Sequence, residues 1–285
     1  MSLSFQLNQN YLNTYSNRVP QFGFDGVGQL TYLRTYSRKK ENGEKEQWNE
    51  TVERVVNGLY SIQKEHILAH NLGWNEEKGQ ISANEMMERI FDFKFLPPGR
   101  GLWAMGTDII TKKKLASALY NCAFVSTENI DTELTRPFDF LMDQSCLGVG
   151  VAFDVLGAGK IIIKEPGPEF TFVVPDSREG WVESNRLLLL SYFTGSGKPD
   201  FDYSNIRPAG VPLKTFGGTS SGPTPLVTLH IDIRKVLDRR INQPISITDI
   251  ADIMNLDGRA VVSGGILFNL SFLNLKNELL NKKLI

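Results

Sequence analysis

"GVGVAFDV", residues 148–155, decides the fold. A short apolar run broken by glycines reads as a strand, and "CAFVS" (122–126), "KIIIKE" (160–165) and "FTFVV" (170–174) read the same way. The texture before residue 95 differs. After Asn49, residues Val52, Val55, Val56, Leu59 and Ile62 recur at three- and four-residue spacing, the apolar face of a helix. Ser82 with Glu85 reads as a capping box opening a second helix, whose buried side is Met86, Met87, Ile90 and Phe91. "FLPPGRG" (95–101) stops that helix, because paired prolines cannot continue it. The pattern is a helical N-terminal region followed by an α/β domain.

Further along, Asp176 and Glu179 are placed to cap a helix through "WVESNRLLLLSYF", and residues 194–205 read as a loop rich in Gly, Ser, Pro and Asp. Thr224 as N-cap with Pro225 behind it launches another helix, with Leu226, Leu229, Ile233, Val236 and Leu237 as its apolar positions. Ser246 and Asp249 open one more, which Gly258 is expected to stop. From Ile266 the composition shifts to Leu, Ile, Phe, Asn, Lys and Glu, and this tail does not read as part of an α/β domain. The division predicted is 1–95 helical, 96–265 α/β, and 266–285 an atypical tail.

The 285 residues carry a formal net charge of −1, which gives no reason to expect a nucleic-acid or anionic-membrane partner. Two cysteines make no disulfide framework, so a reducing, cytoplasmic setting is the default. No window reaches the length of a signal peptide or membrane span. His66 and His70 stand at metal-ligand spacing. Without an HExxH pattern or a cysteine nearby they read as surface imidazoles, and no metal site is expected.

Three places have chemical potential. In "FGGTSSGPTP" (216–225), Gly217 and Gly218 free the backbone, Thr219, Ser220 and Ser221 add hydroxyl donors, and a helix N-terminus follows. That is an anion cradle suited to phosphate, or equally a tight connection into a helix; the GK[ST] of a P-loop is absent. Gly148 and Gly150 allow close approach of a ligand to the backbone, or fit a bulge. Cys122 and Cys146 read from residue type as core thiols, and nothing in their spacing demands a disulfide between them.

Several stretches in order resemble the N-terminal part of the monomeric, adenosylcobalamin-dependent (class II) ribonucleoside-triphosphate reductases. They are "YLRTYSR" (32–38), "FLPPGRGLW" (95–103), "SALYNCAFVS" (117–126), "GVGVAF" (148–153), "PDSREGWV" (175–182), "IRPAGVPLKTFGGTSSGP" (206–223) and "DIMNLDGRAVVSGG" (252–265). The resemblance implies the first part of a ten-stranded α/β barrel behind a helical region, with an effector-binding insertion. It implies conversion of ribonucleoside triphosphates to deoxyribonucleotides by thiyl-radical chemistry, with adenosylcobalamin as cofactor and thioredoxin as reductant. Cys122 becomes a redox-active thiol, with Asn121 and Gly148 beside the substrate. Gly150, Arg207, Gly217, Gly218, Thr219, Ser220 and Ser221 fall in the region that binds a deoxynucleotide (dNTP) effector. Cys146 has no counterpart in the resemblance and reads as structural. The likeness stops at "VVSGG", so the radical cysteine, the second redox cysteine and the cobalamin contacts are expected outside this chain, as in an interrupted coding sequence or a split half completed by a second polypeptide. The alternatives are a non-catalytic dNTP-binding module and an inactive remnant.

Overall fold

The computed structural model describes residues 4–40, 42–211, 219–263 and 272–274. The chain divides into two compact units, Met1–Leu119 and Tyr120–Ile285.

The first unit is helical: α1 (Gln9–Asn13), α2 (Val27–Thr35), α3 (Trp48–Ala69), α4 (Glu76–Phe91), α5 (Gly99–Ala104) and α6 (Asp108–Thr111), then a 3-10 turn at Ala116–Leu119. Gln47 and Glu50 form a reciprocal cap that starts α3. Val52, Val55 and Val56 are buried as the spacing predicts, but Leu59 and Ile62 are 37% and 42% exposed. The buried face instead turns toward Gly58 and Tyr60. A Cβ on Gly58 would lie 2.6 Å from the Gly106 nitrogen, so the backbone at Gly106 rests directly on the helix. The predicted capping box at Ser82 is not used. Asn75 caps α4 earlier by accepting from the Lys78 N–H at 2.9 Å, and the Ser82 hydroxyl meets Tyr60 Oη at 2.6 Å across the two helices. Beneath α3, Glu46 meets Arg54 in a two-pronged ion pair at 2.7 and 2.9 Å. Arg54 also donates to the Met105 and Leu102 carbonyls.

The second unit runs β1 (Cys122–Val125), α7 (Ile130–Glu133), α8 (Arg136–Cys146), β2 (Gly150–Asp154), β3 (Gly167–Val173), α9 (Arg178–Thr194), β4 (Gly197–Asp202), α10 (Thr224–Asp238), α11 (Ile247–Ser263) and β5 (Phe272–Asn274). Strands β1, β2 and β5 form a parallel sheet in that order, and β3 pairs with β4, also in parallel. A parallel pair needs a crossover, which α7 and α8 supply between β1 and β2 and α9 supplies between β3 and β4. Val151 and Phe153 of β2 are fully buried with Phe138, Leu141 and Met142 of α8, while Gly150 and Ala152 on the alternate face keep some exposure. Helices α8, α9, α10 and α11 pack in a closed cycle, α8 touching α9 and α11, and α10 touching the same two. The architecture is therefore α/β: a helical region followed by parallel strands with crossover helices.

Four expectations change. "KIIIKE" is no regular strand: Ile161 and Ile163 exchange backbone bonds with Asn242, Gln243 and Ile245, through a bridge at Ile162 and Pro244. The predicted loop at 194–205 contains β4, because pairing with β3 overrides its Gly, Pro and Asp content. Pro223, one residue before Thr224, is the N-cap of α10. Gly258 does not stop α11, which continues to Ser263, while the Ser246–Asp249 cap forms with bonds of 2.6–3.2 Å. In the tail, the backbone of Phe272–Asn274 pairs with β2; its other residues lie outside the described set. No helix among the described residues is long and apolar enough to cross a membrane.

Candidate functional site

Parallel pairing brings the starts of β1 and β2 together. Cys122 is opposite Gly150 in register, and the Gly150 N–H donates to the Asn121 carbonyl at 2.9 Å. Along β1 the exposure alternates, with Cys122 and Phe124 outward and Ala123 and Val125 half-buried. Cys122 is exposed, not a core thiol, and the small residues Gly150 and Ala152 leave the neighbouring strand low on that same face.

Gly148 positions this edge through the cap of α8. Its φ is +76°, the left-handed region that a residue with a Cβ adopts only at a cost. The Gly148 N–H donates to Ser145 O at 2.8 Å and the Val149 N–H to Gln144 O at 3.0 Å, the paired bonds of a Schellman cap. The predicted strand at 148–155 thus begins at Gly150, and its first two residues belong to the cap. Cys146 is half-buried at the end of α8. Burial, reinforced by the Asp143 carboxylate, pushes its thiol up to about 12. Cys122 and Cys146 are both free thiols.

The other predicted residues gather where α9 begins. Arg207 Nε donates to Asp176 Oδ2 at 2.7 Å, one residue before the Ser177 N-cap of α9. After Arg207, the Ser220 N–H donates to Val211 O and the Gly210 N–H to Ser220 O, each at 2.8 Å. Ser220 Oγ accepts from the Gly222 N–H at 3.0 Å and donates to Arg207 O at 3.4 Å, so this hydroxyl closes its own turn. Ser221 is half-buried and Thr219 exposed. Gly217 and Gly218 lie outside the described residues.

Spacing did not single out three residues that organise this region. Asp176 was read only as a cap, yet it holds Arg207 from 31 positions away. His230 of α10 is buried, with Nδ1 2.7 Å from Tyr203 Oη, Nε2 3.3 Å from Ser184 Oγ and its ring centroid 4.2 Å from that of Phe201. Burial holds its pKa down at about 3, so it is a neutral packing imidazole. Asp257 of α11 accepts from Asn185 of α9 in the interior. One apolar helix face per turn was the only sequence signal for either.

Comparison with known proteins follows these two regions. Residues 7–107 match the ribonucleotide reductase alpha domain, and residues 158–237 match the insertion domain of B12-dependent ribonucleotide reductases. A crystal structure of a B12-dependent (class II) ribonucleotide reductase superposes with a TM-score of 0.79 at 28% identity, over 96% of this chain and 45% of that one. The chain belongs to the B12-dependent ribonucleotide reductase family. Within this family it is 49% identical over 266 residues to the adenosylcobalamin-dependent ribonucleoside-triphosphate reductase of Euglena gracilis. It is 50% identical over 280 residues to a probable enzyme of that name from Dictyostelium discoideum. The enzyme from Lactobacillus leichmannii is 30% identical over 323 residues. The chain spans 36%, 37% and 43% of these reductases, while 92–93% of its own length is matched. The insertion-domain match takes in β3, α9, β4 and all but the last residue of α10, and leaves α8 and α11 outside it.

Proposed function

We propose that this chain supplies the redox thiol and the effector-binding insertion of an adenosylcobalamin-dependent ribonucleoside-triphosphate reductase. The division into 1–95, 96–265 and 266–285 belongs to the same proposal. The observation that carries it is the exposed Cys122 at the start of β1, beside Gly150 and the capped turn at Gly148. In this reading the ribose lies over that edge, with Asn121 and Gly148 beside it.

The step balances as follows. Cys122 and a second cysteine each give up a thiol hydrogen and close an S–S bond. The two electrons and two protons released replace the ribose 2′-hydroxyl with hydrogen and expel it as water. Cys146 is a poor second cysteine, since its buried thiol resists ionisation. The partner thiol and the radical-bearing segment therefore come from further polypeptide. Thioredoxin, in a cytoplasmic setting, restores the dithiol. The cofactor, when bound, would supply the initiating radical. In this reading a dNTP effector lies at Arg207 and the stretch 217–221, where Thr219 offers an exposed hydroxyl; Gly150, predicted with them, sits opposite Cys122 instead.

The test is protection. Ribonucleoside triphosphate at millimolar concentration is expected to slow alkylation of Cys122, and a dNTP to raise the melting temperature of the chain. If no nucleotide slows Cys122 alkylation, the substrate assignment fails; if no dNTP shifts the melt, the effector assignment fails.

A further inference from the structure

The bundle of α8, α9, α10 and α11 holds a buried polar pair that the reductase reading does not use. Asn185 of α9 and Asp257 of α11 are both fully buried. Asn185 Nδ2 donates to Asp257 Oδ1 at 3.0 Å. The remaining oxygen on each side, Asn185 Oδ1 and Asp257 Oδ2, has no hydrogen-bond partner. Two planar groups, joined through one pair of atoms, thus each carry an orphan acceptor on the other pair. A buried orphan is costly, and two at one contact call for a single remedy.

We propose that Asp257 is protonated in the folded chain and forms a cyclic acid–amide pair with Asn185. Asn185 Nδ2–H donates to Asp257 Oδ1, and Asp257 Oδ2–H donates to Asn185 Oδ1. One proton satisfies both orphans.

The surroundings agree. From α8, the nearby titratable groups are Asp139, whose negative charge opposes ionisation of Asp257, and Cys146, whose thiol is pushed up. Asp139 itself is pushed up to about 6 by burial. Near Asp257 on its own helix, Arg259 is held by Asp232 of α10 at 2.5 Å. On α9, Asn185 is the contact and Arg186 is engaged with Glu183. Among the described residues no cation pairs with Asp257. Burial, then the Asp139 charge, raise the pKa of Asp257 well above the ordinary aspartate value.

The pair joins α9, inside the matched insertion domain, to α11 outside it. It is a proton-held latch between the insertion and α11, which packs on α8. Ionisation leaves the carboxylate facing the amide oxygen and opens the latch.

The sign follows from linkage. The folded chain keeps a proton that the unfolded chain loses above about pH 4, so Asp257 by itself lowers the folding constant about tenfold per pH unit from there until it ionises; Asp139 and His230 titrate in the same window, so this contribution is read as the difference between wild type and Asp257→Asn. Urea melts of the full chain between pH 4 and 8 test this. Asp257→Asn, which offers an amide in place of the acid, is expected to remove one proton from the pH dependence and to be more stable than wild type at pH 7. An unchanged pH slope with lower stability at pH 7 overturns the proposal. Should that variant not fold, the Asp257 carboxyl 13C resonance of the wild-type chain decides. A protonated position held from pH 4 to 7 supports the latch; titration near pH 4 refutes it.

Discussion

Cys122 and Cys146 should differ sharply in reactivity, and the structure fixes the scale. The Cys146 thiol is pushed up to about 12 by burial and by Asp143. At about pH 8 its thiolate fraction is then roughly 10⁻⁴, against roughly 0.24 for an ordinary solvated cysteine, a ratio of about 2,400. The more basic thiolate is the better nucleophile; a Brønsted slope of about 0.45 over about 3.5 pKa units returns a factor of about 40. The net disadvantage is about 60-fold from ionisation alone, and the half-buried position of Cys146 adds to it. The assay is a timed reaction of the chain with iodoacetamide, quenched and quantified by mass spectrometry of the two cysteine peptides. Cys122 is expected to be labelled to completion while Cys146 stays below a few per cent, and Cys122→Ser should abolish early labelling. Equal rates, or Cys146 labelled first, would refute the assignment of β1 as the strand that presents the accessible thiol.

Two further outcomes follow from buried ionisable groups. Arg54→Ala leaves Glu46 largely buried without its partner and strips donors from the Met105 and Leu102 carbonyls, so a loss of about 3–5 kcal/mol is expected in urea melts. Burial pushes the Glu46 carboxyl up, but Arg54 and Thr51 outweigh it and hold the value below the ordinary one; the stability from the pair is therefore present above about pH 4.5 and lost as the pH falls. His230 is held near 3 in the fold, so the unfolded chain takes up its proton first and the His230 contribution to stability falls by about 1.4 kcal/mol per pH unit below about pH 6.5. His230→Gln should flatten that acid limb in melts at pH 7 and pH 5, and an identical limb would show that this imidazole is protonated in place.

Local signals were legible where local physics decides. The β-branched and aromatic runs at 122–126 and 170–174 became β1 and most of β3, and the Ser246–Asp249 box formed. What failed depended on partners distant in sequence. Strand β4 has the composition of a loop, and only six backbone pairings with β3 make it a strand. Ser82 has a good capping pattern, but Tyr60 claims its hydroxyl and Asn75 starts the helix earlier. At the site, residue type alone favoured burial for both cysteines. The sheet register separates them, putting Cys122 on an open face and Cys146 under a helix end. Arg207 was legible as a basic residue in a turn-rich stretch, whereas its carboxylate partner lies upstream of both α9 and β4.

The position of Cys122 is finally a consequence of a helix cap. A Schellman turn releases the chain from α8 in one fixed direction, and only a glycine holds φ of +76° there without strain. Two residues later the chain enters β2 at Gly150, whose N–H is taken by the Asn121 carbonyl, and that single bond sets Cys122 opposite Gly150. A slip of β2 by one residue would turn Val151 and Phe153 out of the core, so burial of those two side chains fixes that Gly150, not a bulkier residue, shares the open face with Cys122. The glycines at 148 and 150 therefore place the sulfur whether or not a ligand ever touches them. The proposed function makes Cys122 the redox thiol; the cap and the register are why that proposal has an exposed thiol to act through.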